Sequence, residues 1–179
     1  FPTASPYVVS VGGEMWKNGD SHKPTTWTGF GGGSGGGFSW SFPMPSYQKD
    51  AVQNYLNAES SSLPPSSSFN ASGRAYPDIS AIGVDGTSQS CPIMAGIFSL
   101  VIDSRLNGGL GRLGFLGPRI WKIATSYPGE AFEDIPEGNS GLSCGNGFAS
   151  SPKSWDPNTG FGRPIWSGLL KYFASDDYI

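Results

Sequence analysis

Charge is scarce in this sequence: Asp, Glu, Lys and Arg make up only 14% of its 179 residues, against roughly a quarter in an ordinary globular chain. With few carboxylates to protonate, such a surface changes its charge little as pH falls, so the composition tolerates an acidic compartment. The 11 basic residues are scattered and the formal net charge is −3. That leaves no electrostatic footprint for a nucleic acid or an anionic membrane. No apolar run approaches the ~20 residues of a membrane span. The opening Phe1-Pro2-Thr3 has neither the basic nor the apolar part of a signal peptide, and a start without Met suggests a processed or partial chain. Histidine occurs once, as His22 in a polar stretch, so a Ser-His-Asp triad has a single poor candidate. The two cysteines, Cys91 and Cys144, lack metal-site spacing. A disulfide between them would close a loop of about fifty residues and stabilise by up to ~4 kcal/mol in the chain-entropy view. A buried free thiol at Cys91 is the alternative.

Glycine (27), proline (15) and aromatic residues are abundant instead, which describes a loop-rich, aromatic-packed protein. The length suits one domain, residues 1–179, with a substantial core. Tyr7-Val8-Val9-Ser10-Val11 reads as a buried strand closed by Gly12-Gly13. From Glu14 to Thr28 the polar character suggests a loop or hairpin. Phe30 to Phe38 encloses six glycines and one serine; it is either a flexible linker or a side-chain-free wall against which an extended peptide could lie. Ser46 opens a helix to about Glu59, with Ala51, Val52, Tyr55 and Leu56 on its inner face. Arg74 to Ala81 reads as a second strand in which Asp78 is buried and hydrogen-bonded rather than reactive.

The chain is organised around Gly86-Thr87-Ser88-Gln89-Ser90-Cys91-Pro92 and the apolar run Ile93 to Ile102 that follows. A helix apolar on every side belongs in the centre of a domain. Ser88 stands at its N-terminus, either as a cap or as a nucleophile beside unpaired N–H groups that suit a developing oxyanion. Beyond it come a Gly-rich connection, a short helix over 119–124 with Pro118 at its first turn, and two acidic turn-forming loops, 132–139 and 154–160. Oxygen-rich loops of this kind are what Ca²⁺ needs, although plain solvated turns look the same. Pro164 to Phe173 is an amphipathic C-terminal helix, and Asn70-Ala71-Ser72 is the one glycosylation acceptor. These elements give α/β, a sheet covered by helices.

Several motifs stand in one order: Phe1-Pro2-Thr3-Ala4-Ser5-Pro6-Tyr7-Val8, Val11-Gly12-Gly13, Gly35-Gly36-Gly37-Phe38-Ser39, Pro45-Ser46-Tyr47-Gln48, Phe69 to Asp78, Gly86-Thr87-Ser88, Gly114-Phe115-Leu116, Asp134-Ile135 and Trp155-Asp156-Pro157. Together they resemble the sedolisin family of serine-carboxyl peptidases, along nearly the whole chain. The resemblance implies a subtilisin-like parallel sheet flanked by helices, present here as its C-terminal part. It implies an acid pH optimum and cleavage of peptide bonds, of tripeptidyl-peptidase or endopeptidase type, through an acyl-enzyme. It also implies a lysosomal, vacuolar or secreted location, with Asn70 as a glycan site. Ser88 matches the nucleophile, although Asp85 stands where the family motif has Ser. Asp134 and Asp156 match calcium carboxylates, with carbonyls from Ile135, Pro152 and Ser154.

Two departures accompany the match. The family's Glu/Asp pair, which serves as base, and its oxyanion Asp precede the stretch matching Phe1. They would have to come from a separate N-terminal chain or segment. The path from Ile79 to Ser88 is also much shorter than its family counterpart. The chain is therefore either the nucleophile-bearing part of a peptidase or a non-catalytic binding or structural relative.

Overall fold

The computed structural model describes residues 1–20, 22–141, 146–152 and 154–178. Nine strands and four α-helices follow in order among them: β1 (Val11–Trp16), β2 (Pro24–Thr26), β3 (Thr28–Gly29), β4 (Gly32–Gly33), β5 (Gly37–Pro43), α1 (Lys49–Ala58), β6 (Gly73–Tyr76), β7 (Ile79–Ile82), α2 (Thr87–Asn107), α3 (Gly117–Ser126), β8 (Phe132–Glu133), β9 (Arg163–Pro164) and α4 (Trp166–Phe173). The main sheet has the order β2-β1-β7. β1 runs parallel to β7, with Val11 opposite Ile79 and Glu14 opposite Ile82, and antiparallel to β2, with Trp16 opposite Pro24. Three two-stranded antiparallel pairs, β3–β4, β5–β6 and β8–β9, surround it. The class is α/β as the pattern indicates; the parallel sheet is a single parallel pair among the described strands.

The glycines after Val11 do not close the first strand; they lie inside it. A Cβ on Gly12 would come within 2.8 Å of the Asn158 carbonyl oxygen and 2.9 Å of Pro77 Cγ, and one on Gly13 within 3.1 Å of Trp27 Cβ. Close approach from both sheet faces requires bare backbone there. Nor is the glycine run a linker. A Cβ on Gly36 would fall 1.5 Å from the Pro157 carbonyl oxygen, so this stretch is packed backbone against backbone. The second strand divides in two at Pro77-Asp78. β6 pairs with β5 while β7 pairs with β1, so the chain changes sheets there.

Asp78 makes that change of sheets possible. Its carboxylate is fully buried and accepts from the Ser10 N–H at 2.7 Å, from Arg74 Nη2 at 2.6 Å and from Trp121 Nε1 at 2.7 Å. Arg74, also buried, donates to the carbonyls of Ser5, Val8 and Ala75. One ion pair therefore ties the N-terminal segment, β6, β7 and α3 together. Aromatic rings pack around it: Trp121 lies 4.9 Å from Phe161 and 5.5 Å from Trp155 between centroids. Trp155 is met edge-on by Tyr55 and Phe38. Helix α1 contributes Ala51, Val52 and Tyr55 to this core, and α4 contributes Leu169, Tyr172 and Phe173, as their amphipathic patterns require.

Helix α2 corrects the sequence reading. It is not enclosed on every side: Ser90, Met94, Phe98, Val101 and Arg105 form a buried stripe, at the three- and four-residue spacing of one helix face. On the other side Pro92, Ala95, Gly96, Ser99 and Leu100 are exposed, Leu100 to 60%. Cys91 lies on that exposed side, so it is not a buried thiol; its pairing with Cys144 falls outside the described residues.

Replacing Asp78 with Ala strands a buried guanidinium and two further donors, the Ser10 N–H and Trp121 Nε1, and is expected to cost about 3–5 kcal/mol of stability. Urea unfolding of Asp78→Ala against the parent chain measures this, and a loss under 1 kcal/mol would contradict the role given to the ion pair.

Candidate active site

Strand β7 ends at Ile82, and a four-residue turn, Gly83 to Gly86, carries the chain into α2. Gly86 has φ +95° and is the N-cap; its N–H donates to the Gly83 carbonyl at 2.9 Å. The turn is packed from within. A Cβ on Gly83 would meet Ser90 Oγ at 2.4 Å and the Gly86 carbonyl oxygen at 2.6 Å, so no larger residue fits at Gly83. The ring of Trp27 supports the turn from below. Its Nε1 donates to the Val84 carbonyl at 3.3 Å, and its edge lies 3.5 Å from where a Gly86 Cβ would stand.

Ser88 is thus the second residue of α2, exposed, and it is not the cap. Among the described residues its hydroxyl makes no hydrogen bond, and neither do the N–H groups of Thr87 and Ser88. Pro92 lacks the N–H that would otherwise reach the Ser88 carbonyl. A hydroxyl beside free N–H groups and the positive end of a 21-residue helix can attack a carbonyl and hold the oxyanion that results.

Asp78 is committed to its three donors. Asp85 is exposed in the turn, where its N–H donates to Gln89 Oε1 at 3.3 Å. His22 sits in the β1–β2 connection beyond the Trp16–Pro24 pair, and its N–H donates to Asp20 Oδ1. Glu14, which the polar sequence around it assigns to the start of a loop, lies in β1 and is buried. Gly13 faces Thr87 and Ser90 of α2, whereas Gly12 faces Asn158. Alternation along the strand puts Glu14 on the Gly12 side, across the sheet from Ser88. There Oε2 has no partner among the described residues. Burial pushes the carboxyl up from 4.5 to about 7; Arg163 opposes the rise and Glu133 adds to it. Arg163 is itself held by Glu133 through two bonds of 2.9 and 3.0 Å.

The residues matched to a calcium site fall in two adjoining loops. Asp134 accepts the Ile135 N–H at 2.8 Å, and it shares with Ser154 a cleft of about 540 Å³ whose other lining includes Asp50, Asn54, Phe132 and Phe161. Asp156 is fully buried and accepts the N–H groups of Asn158 at 2.8 Å, Thr159 at 3.0 Å and Ser151 at 3.2 Å. Burial lifts its carboxyl to about 7 against the pull of these bonds, and the charge of Asp134 pushes the same way. Pro152 is exposed and the Ile135 side chain buried. No group of three or more His, Cys, Asp or Glu that could hold a metal occurs among the described residues. The acceptor Asn70 is half-buried: its Nδ2 donates to the Ser39 carbonyl at 3.2 Å and its Oδ1 accepts from the Ser72 N–H.

No protein-family model matches the chain. Tripeptidyl-peptidase 1 of Rattus norvegicus is 44% identical over 193 residues, 96% of this chain and 32% of that protein. The Homo sapiens protein is 42% identical with the same coverage. This chain therefore spans about a third of the length of the curated relatives it matches. Among solved structures, Pseudomonas sedolisin, a serine-carboxyl proteinase complexed with two molecules of pseudo-iodotyrostatin, superposes with a TM-score of 0.73 at 26% identity, covering 98% of this chain and 48% of that one.

The raised carboxyl of Glu14 sets a pH dependence. The folded state keeps its proton above the pH at which the unfolded chain releases it, so stability is full below about 4.5 and is lost as pH rises through about 7. Glu14→Gln removes this contribution, worth about 3 kcal/mol across the window. Unfolding free energies at pH 4.5 and 7.5 should show the variant gaining on the parent at the higher pH only.

Proposed function

We infer, from the premise that this chain belongs to the sedolisin family of serine-carboxyl peptidases and matches the C-terminal part of its catalytic domain, that it is the nucleophile-bearing part of an acid peptidase. The observation that carries this reading is Ser88 itself, exposed at the second position of α2 beside unbonded N–H groups. Ser88 Oγ attacks the carbonyl carbon of the peptide bond and gives its proton to a carboxylate base. The C–O bond forms while the carbonyl oxygen, now anionic, lies toward the start of α2. As the C–N bond breaks, the proton passes from the base to the departing amine, and an acyl-enzyme remains. Water then attacks the ester, again through the base, and releases the acid and the Ser88 hydroxyl.

The base comes from outside residues 1–179. Asp78 is locked by its donors and Glu14 lies across the sheet, so neither is placed to serve Ser88. An N-terminal chain or segment bearing the Glu/Asp pair and an oxyanion Asp would complete the site. Two observations favour such a partner: the chain covers 48% of the sedolisin structure, and the exposed side of α2 carries Pro92, Ala95, Gly96 and Leu100, apolar residues suited to a covering surface. An acidic compartment, lysosomal or vacuolar, or a secreted location agrees with the low charge and with Glu14. Calcium would be held by Asp134 and Asp156 with the carbonyls of Ile135, Pro152 and Ser154, bracing the two loops by offsetting carboxylate repulsion. The short turn before Ser88 favours a second reading, a binding or structural relative without the chemistry.

Native mass spectrometry separates the two. A species heavier than 18.9 kDa that dissociates on denaturation into this chain and a second polypeptide is expected. In that assembly Ser88→Ala should lower kcat/KM for a peptide substrate at pH 4–5 by about 10³-fold or more with unchanged thermal stability. A folded single chain that neither cleaves peptides nor reacts with an acylating inhibitor would establish the non-catalytic reading. For calcium, added EGTA should lower the melting temperature of the parent by several degrees and leave Asp134→Asn unmoved; equal responses would remove the ion from the account.

A further inference from the structure

Strands β3 and β4 form a two-residue hairpin, Thr28 pairing with Gly33 and Gly29 with Gly32. Both residues at its tip have positive φ, Phe30 at +52° and Gly31 at +77°. That is the signature of the tight hairpin turn whose first tip position is ordinarily Asn, Asp or Gly. A phenylalanine there is a conformational outlier, and its ring is also 90% exposed. Neither backbone preference nor burial explains the residue. An outlier held in place by well-packed neighbours points to a function.

Those neighbours lead to Ser88. The Phe30 ring lies 6.1 Å from the ring of Trp27, which lies flat against Gly29, 2.8 Å from where a Cβ would be. The same indole donates to the Val84 carbonyl and abuts Gly86. Val84 is 67% exposed. Trp27 thus fixes a presented aromatic ring and a presented aliphatic side chain to the turn that delivers Ser88.

We propose that Phe30 and Val84, held by Trp27, form an apolar subsite that takes a bulky hydrophobic side chain of a peptide lying across the start of α2. The proposal rests on the reading of Ser88 as the reacting residue. Phe30 offers a flat hydrophobic face on a backbone already fixed by the hairpin, so less freedom is lost on binding than from an unstructured loop. The subsite selects by apolar area and carries no charge to orient the peptide, so it discriminates between side chains and does not take part in bond making.

The test uses the native protein with any second polypeptide that accompanies it. N-acetyl tripeptide amides carrying Phe or Gly in turn at each position are titrated at pH 4.5, and the Trp27 indole N–H resonance is followed. At one position Phe should bind at least 10-fold more tightly than Gly. Phe30→Asn, which suits the turn, should keep or raise the melting temperature and reduce that preference to within twofold, whereas Phe30→Tyr should retain it. A preference that survives Phe30→Asn, or its absence in the parent, overturns the subsite. So does a Phe30→Asn protein that binds peptides normally but loses the second polypeptide, since the patch is then an interface. A tripeptide aldehyde tests Ser88 separately: failure to modify Ser88, with the Phe preference intact, supports the subsite and rejects the nucleophile.

Discussion

A carboxylate and a guanidinium buried together govern this fold. Asp78 and Arg74 are each about 1% exposed at the side chain, so desolvation is a heavy cost that their attraction alone does not offset. The remaining hydrogen-bonding capacity is used by Ser10, Trp121 and three carbonyls, which makes the pair a junction rather than an isolated bridge. Because its partners come from the N-terminal segment, β6 and α3, their relative placement is fixed at one point. Trp121 then carries that order outward into the aromatic core through Phe161 and Trp155.

Backbone proximity is the second constraint. Gly12 and Gly36 sit where the 157–158 segment comes within van der Waals distance of the main chain, and Gly83 leaves room for Ser90 beneath the turn. The loop that carries Asp156 is consequently braced against β1, which pairs with the strand that leads toward Ser88. The two candidate sites share this scaffold: the 157–158 segment packs on β1 at Gly12, and Gly13 of the same strand packs on α2 at Thr87 and Ser90.

Ser88 gains its position from this rigidity and its solitude from the rest of the chain. The helix start supplies N–H groups, the turn supplies exposure, the Asp78 carboxylate is occupied by its donors, and Glu14 lies on the other sheet face. The half-uncovered α2 belongs to the same picture. A helix with apolar residues on both sides, packed on one, presents the other to solvent.

Much of this was legible in the residues. The amphipathic spacing of α1 and α4, the Pro at the first turn of α3, the small-residue turn before Ser88 and the buried character of Asp78 all follow from local pattern, because propensity and periodicity are local properties. The ordered motifs also pointed to the sedolisin family. The sequence alone could not tell that Gly12 and Gly13 lie inside a strand, since only the approach of Asn158 and Trp27 from distant positions demands glycine there. It could not place Glu14 either, whose burial depends on β8 and β9 arriving from about 120 residues away in the chain. Nor could it show α2 half-exposed: composition records which residues are apolar, but which of them are covered depends on what the remaining elements pack against. Local chemistry wrote the elements and the candidate nucleophile; tertiary packing decided which groups are desolvated and which are paired.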